Sequence, residues 1–128
     1  MGIGRDELLK PLTRTFHVVE TSRGPVRLRS VTERERARFE ADTLDKSGKV
    51  TRKGLVTMKP RLIILCAVND DGDPLLSNND IDDLLEMDSA TINQLADVCQ
   101  QLVGITENDI EDLEKNYERA PGDDSHTG

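Results

Sequence analysis

The pattern of hydrophobic and polar positions divides the chain near its middle. Between residues 14 and 31 the apolar residues form two short runs, RTFHVVE and VRLRSV, and the second run alternates apolar with polar positions. Alternation with a period of two is typical of a half-buried strand. The stretch Ser22-Arg23-Gly24-Pro25 between the runs is composed of turn-forming residues. Residues 14–31 are therefore predicted to form a β-hairpin.

The segment after the hairpin is predicted to be a charged helix followed by a loop. Thr32 and Glu35 fit a capping box, and the helix is expected to end near Asp42. The stretch DKSGKVTRKG at 45–54 is polar, contains two glycines and is predicted to be a loop.

The most apolar run of the chain is RLIILCAV at 61–68. Its length and its flanks, Pro60 and NDDGDP, favour a buried central strand. A helix stays open as an alternative, because Leu, Ala and Cys are not strong strand formers. Asp71-Gly72 indicates a tight turn, after which Leu75-Leu76 is expected to form a brief return strand.

From Ser77 onward the period becomes helical. Ser77 with Asp80, and then Ser89, are predicted to cap two successive helices, and Gly104 is predicted to end the second one. The second helix has apolar residues at nearly ideal spacing: Ile92, Leu95, Ala96, Cys99, Leu102 and Val103.

Thr106 with Asp109 predicts the start of a last helix, whose apolar stripe is Ile110, Leu113 and Tyr117. This stripe has two interpretations. It closes the core against the preceding helix, or it is a docking stripe for a partner helix. Ile110, Leu113 and Tyr117 are the candidate partner-binding residues of the chain.

These elements predict an α+β fold, in which an N-terminal hairpin with a third strand is followed by a bundle of about three helices. A single domain is expected at 13–120, with a β-rich half containing one helix at 13–76 and an acidic helical half at 77–120. Residues 1–12 are expected to be a flexible arm, and residues 121–128 a disordered tail.

Charge distinguishes the two halves of the chain. Residues 1–60 contain 14 Lys and Arg against 8 Asp and Glu, whereas residues 61–128 contain 3 against 17. An acidic half repels nucleic acid and anionic membranes, so neither is an expected partner. The arginines of the basic half alternate with glutamates, as in Glu33-Arg34-Glu35-Arg36, which indicates a self-paired helix face. Opposite charges on the two halves also allow self-association.

Each candidate motif for a metal, cofactor or catalytic site lacks residues that such a site requires. No catalytic, cofactor-binding or metal-binding residue is therefore predicted, and an enzyme is not expected. With Gly72 at the sixth position of a calcium loop, Ala67 occupies the first position, where an oxygen ligand is required, and Asn78 occupies the twelfth, where a bidentate Glu is required. Cys66 and Cys99 lie in apolar runs and are predicted to be reduced and buried. The N-terminal residues MGIGRDELLKPL contain no apolar run typical of a signal peptide, and no apolar stretch is long enough to span a bilayer, so a cytoplasmic location is expected.

Residues 61–116 resemble the tail assembly chaperones of long-tailed bacteriophages and prophages. The resemblance lies in an ordered string: RLIILCAV, the acidic turn NDDGDPLLS, the helix pair NDIDDLLEMDSATINQLADVCQQLVGIT and the acidic helix ENDIEDLEKN. The hairpin RTFHVVETSRGPVRLRSVTERE is also similar to the opening of that family. Leu75-Leu76 and Val103 depart from the family, which often has Phe after the acidic turn and Asn before the helix-ending Gly.

The resemblance implies a chaperone in the host bacterial cytoplasm that binds the tape measure protein. Such a protein assists assembly of the tail tube, with tail tube subunits as further partners, and is absent from the mature virion. The alternative is a small structural tail or head–tail component that stays in the particle.

Overall fold

The computed structural model describes residues 1–118, so the predicted disordered tail at 121–128 lies outside the described residues. The chain is α+β, as predicted from the sequence, with a three-stranded antiparallel sheet early in the chain and three helices at the end of the described part. Its elements are α1 (Arg5–Leu8), β1 (Phe16–Thr21), β2 (Gly24–Arg29), α2 (Glu33–Thr43), α3 (Arg52–Val56), α4 (Met58–Cys66), β3 (Ala67–Val68), a 3₁₀ turn (Asn78–Asp80), α5 (Ile81–Leu85), α6 (Ser89–Val103) and α7 (Glu107–Glu118).

The predicted hairpin is confirmed. Strands β1 and β2 pair antiparallel in a register that places Val19 opposite Val26. The turn between them is followed by Gly24, whose φ of 117° is a conformation that residues with a Cβ rarely adopt. β2 is the central strand, because β3 pairs with its other edge through Leu28 and Ala67.

The predicted central strand at 61–68 is wrong. Met58–Cys66 is a helix, α4, and only Ala67–Val68 continues as a strand. Pro60 does not bound a strand. It lies in the first turn of α4, where a missing backbone donor costs nothing. The helix is buried on most sides, so its apolar run shows no helical period, and Leu is a better helix former than strand former.

Two smaller predictions around α4 also fail. The predicted loop at 45–54 ends early, because Thr51 caps the short helix α3 by accepting a hydrogen bond from the backbone N–H of Gly54. Residues 13–76 therefore contain three helices, where the sequence predicts one. Leu75-Leu76 forms no strand, and the return of the chain is a single β-bridge between Val68 and Pro74.

Arg61 holds α2 and α3 onto α4. Its guanidinium donates to the carbonyl oxygen of Gly54 and to the hydroxyl of Thr43, both at 2.9 Å, and to the carbonyl oxygen of Phe39 at 3.3 Å. Burial lowers the pKa of Arg61 from its ordinary value. The arginine thus supplies the positive charge that the last turn of α2 lacks.

The core lies between the sheet, α4 and α6. α4 contributes Leu62, Ile63 and Cys66, each at most 1% exposed, and α6 contributes its predicted stripe. α6 is the longest described helix, and its other face is polar. No helix within residues 1–118 has the length and apolar content needed to cross a membrane.

Side-chain caps begin the helices largely as the sequence predicts. The capping boxes of Thr32 with Glu35 and of Ser77 with Asp80 are both formed. The predicted cap at Ser89 is wrong, because Asp88 accepts from the backbone N–H of Thr91 at 2.9 Å and is the N-cap of α6. Gly104 ends α6 with a φ of 82°, as expected for the glycine that follows a helix.

Glu35 joins the hairpin to α2. Its carboxylate accepts two hydrogen bonds from Arg14, at 2.8 and 2.9 Å, and lies 3.5 Å from Arg29 on β2. It also accepts from the backbone N–H of Thr32. The hydrogen bonds from Arg14, with those from Thr32 and the nearby charges, lower the pKa of Glu35 to about 2.

Candidate interaction surface

Helix α7 is positioned by its start and by one contact near its end. Thr106 and Asp109 form the predicted cap, with the Asp109 carboxylate accepting from the backbone N–H of Thr106 at 2.8 Å. Near the other end, Oδ1 of Asn116 accepts from the backbone N–H of Val50 at 2.9 Å. The helix is therefore fixed against the loop that joins α2 to α3.

The structure places the three predicted partner-binding residues in different surroundings. Ile110 and Leu113 are partly buried and pack against the core. Tyr117 is half-buried near the end of the helix. Ile110 thus closes the core, which was one of the two interpretations of the stripe, whereas Leu113 also faces a surface groove.

This groove, called here the α7 groove, lies between α2, the 44–50 loop and α7. Its volume is about 280 Å³. Its floor consists of apolar side chains: Phe39, Leu44, Ile105 and Leu113. Its rim contains three carboxylates: Glu40, Asp109 and Asp112. An apolar floor with a charged rim is the usual composition of a protein-docking surface.

The rim carboxylates are not equivalent. Glu40 forms an ion pair with Arg36 at 2.8 Å, so its charge is balanced within α2. The hydrogen bonds that the Asp109 carboxylate accepts from Thr106 lower its pKa, which keeps it ionised. Asp112 is exposed. α7 as a whole contains six acidic residues and one basic residue, so the groove lies beside a strongly negative helix.

A second apolar surface precedes the hairpin. Ile3, Leu8 and Leu9 are each 59% exposed or more, and α1 has no buried residue. Phe16 and Val18 on β1 are also exposed, at 42% and 55%. The guanidinium carbon of Arg27 lies 4.0 Å from the centroid of the Phe16 ring, so one face of this aromatic is covered by a cation.

Within residues 1–118 no group of three or more His, Cys, Asp and Glu side chains is arranged to hold a metal ion. Cys66 and Cys99 are both fully buried and free. A hydrogen bond with Cys66, together with burial, raises the pKa of Cys99, so its thiol stays protonated.

The sequence pattern did not identify most of the groove. Phe39 and Leu44 belong to α2 and its end, more than 60 residues from Ile105 and Leu113 along the chain. The one available signal is Ile105, since an apolar residue directly after a helix-ending glycine commonly packs back on its helix. The rim carboxylates could not be distinguished from the many other acidic residues of the same half.

No protein-family model, curated protein or solved structure matches the chain. What the chain binds must therefore be inferred from its own residues and from the resemblance in its sequence.

Proposed function

We propose that the chain is a tail assembly chaperone of a long-tailed bacteriophage or prophage, which binds the tape measure protein in the host bacterial cytoplasm. It would assist assembly of the tail tube and leave before the virion is complete. The sequence resemblance at 61–116 and in the hairpin suggests this function.

The observation that carries the proposal is the α7 groove. An assembly chaperone must offer apolar surface to its client and yet keep the complex in solution. The groove supplies the first requirement through Leu44 and Leu113, which are only half-buried. The acidic residues of α7 supply the second, because net charge opposes aggregation.

The test is co-expression of the full chain with a fragment of the tape measure protein from the same phage genome. We expect the fragment to be insoluble alone, and to become soluble and co-elute with the chain in size-exclusion chromatography. A fragment that stays insoluble, or that elutes separately, would contradict the proposal. The variant Leu113→Trp keeps the charge of the chain but fills the groove. We expect it to solubilise less of the tape measure fragment than the wild-type chain does.

The alternative function is that of a structural component of the tail or of the head–tail junction. The protein composition of the virion distinguishes this function from that of a chaperone. Mass spectrometry of purified virions should find the tail tube protein and the tape measure protein, but not this chain. A stoichiometric amount of the chain in virions would favour the structural role over the chaperone.

A further inference from the structure

We infer that the α7 groove binds a positively charged amphipathic helix of the partner protein, with apolar side chains on the groove floor and Lys or Arg beside Asp109 and Asp112. This inference rests on the proposed function, because it names the part of the client that the same groove would bind.

The size of the groove favours protein side chains over a small molecule. At about 280 Å³ it is below the range of most small-molecule pockets, and it is open to solvent. An apolar floor of four side chains suits the insertion of a few aliphatic groups from one face of a helix, which recur at every third or fourth position.

The backbone around the groove disfavours an extended strand as the occupant. Strand addition requires free backbone donors and acceptors along an edge. In the 44–50 loop six of the seven backbone donors are already used. The N–H groups of Leu44, Asp45 and Gly48 bond to carbonyl oxygens. Those of Ser47 and Lys49 bond to the carboxylate of Asp45, and that of Val50 bonds to Asn116. A helix satisfies its own backbone and needs only the side-chain contacts that the groove offers.

Charge decides which helix fits. Arg36 pairs with Glu40 and its charge also helps to lower the pKa of Asp109, so Asp112 is the rim carboxylate that offers its charge most fully to an incoming helix, with Asp109 beside it. Lys or Arg beside the apolar stripe would lie near them, whereas Asp or Glu would be repelled. The exposed N-terminal arm of a second copy is a poorer occupant, because Asp6 and Glu7 follow directly on Arg5, which Asp6 already pairs.

The test uses two fluorescein-labelled helical peptides with the same leucine stripe, one flanked by lysines and the other by glutamates. Binding to the full chain is measured by fluorescence anisotropy at low salt. We expect the lysine peptide to bind with a Kd about tenfold lower than the glutamate peptide, since a few exposed ion pairs together provide a difference of that size. The preference should shrink as salt is added. Equal binding of the two peptides, or no binding of either, would overturn the inference.

A charge-reversal variant tests whether the peptide binds at the α7 groove. Asp112 is exposed, so Asp112→Lys should leave the fold intact and should reduce or reverse the preference for the lysine peptide. Asp82→Lys makes the same change of charge on α5, away from the groove, and should leave the preference unchanged. A similar loss of preference in both variants would overturn the inference, because only net charge would then matter.

Two further outcomes distinguish the inference from the function on which it rests. If the tape measure fragment co-elutes equally with the wild-type chain and with Asp112→Lys, the groove is not the docking site, although the chaperone function stands. If the chain prefers the lysine peptide but the tape measure fragment never binds, the proposed function is wrong, while the inference about the groove remains valid.

Self-association gives a further outcome. If the wild-type chain self-associates in analytical ultracentrifugation and Asp112→Lys abolishes this association, a second copy is the occupant and the inference is overturned.

Discussion

The two halves of the molecule use a similar density of charged residues in opposite ways. In the N-terminal half, charges are paired within the fold: Glu35 binds Arg14 and Arg29, and Arg36 binds Glu33 and Glu40. Among the described side chains of residues 61–118, only Asp88 forms an ion pair, with Arg23.

Charges therefore stabilise the fold in the N-terminal half, whereas in the C-terminal half most of them lie on the surface and face solvent. Paired and partly buried charges, such as that of Glu35, fix the position of the hairpin on α2. Exposed carboxylates that neither pair nor cap, such as that of Asp112 on α7, contribute little to the folded state, but they determine which molecules approach the helix. Residues of both halves contribute to the apolar core. The stability lost when a core residue is truncated is therefore the value with which the effect of removing a charge in either half is compared.

The largest expected effect tests whether the shared core, rather than charge, provides most of the stability. Leu62 is 1% exposed in α4. Leu62→Ala should lower the free energy of unfolding by about 3 kcal/mol, from lost burial and from the cavity left behind. Urea denaturation measures this change, with Leu75→Ala as control, because Leu75 is 52% exposed. A loss below about 1 kcal/mol would mean that the core adapts and that charge pairs matter more than we infer.

The next effect tests the paired half. Glu35→Gln should destabilise the chain by about 1–2 kcal/mol at neutral pH, because Arg14, Arg29 and the N–H of Thr32 lose their carboxylate partner. The folded pKa of Glu35 is lowered to about 2, from an ordinary value of 4.5. Its contribution is therefore complete above about pH 4.5 and is lost as the pH falls towards 2.

The measurement is the difference in unfolding free energy between the wild type and Glu35→Gln as a function of pH. Glu33→Gln is the matched control, since Glu33 is 79% exposed and pairs only with Arg36 on its own helix. A difference that does not change between pH 7 and pH 3 would show that Glu35 acts through packing rather than charge.

A smaller effect concerns Asp88, the exception in the acidic half. Asp88→Ala removes both the cap of α6 and the ion pair with Arg23, so it should lower the thermal unfolding midpoint. Ser89→Ala, one residue further along, should leave the midpoint unchanged because Ser89 is not the cap. Equal midpoints for the two variants in differential scanning calorimetry would contradict this assignment.

The smallest effect tests the unpaired half. The double substitution Asp82→Asn and Asp83→Asn removes two exposed carboxylates of α5. We expect the free energy of unfolding to fall by no more than about 1 kcal/mol, since both carboxylates lie in the first turn of the short helix α5 and interact with its dipole but form no ion pair. A loss of more than about 1 kcal/mol in urea denaturation would break the comparison, because it would reveal that these carboxylates are structural.

The elements that sequence reasoning identified have strong local signals. The hairpin is specified by two short apolar runs on either side of a turn, the second of which alternates, and α6 by a complete apolar stripe and a helix-ending Gly104. The elements it missed have weak or conflicting local signals. α4 is apolar on nearly every face, so its period gives no information, and α3 is too short to show a period at all.

The sequence by itself determined the class of fold, the helix caps at Thr32, Ser77 and Thr106, and the opposite charge of the two halves. These properties depend on neighbouring residues, on composition or on the order of short segments. Only the tertiary structure decided that Leu113 faces a groove while Ile110 closes the core, and that Glu40, Asp109 and Asp112 share its rim. Those relations join residues that are distant along the chain, and packing brings them together.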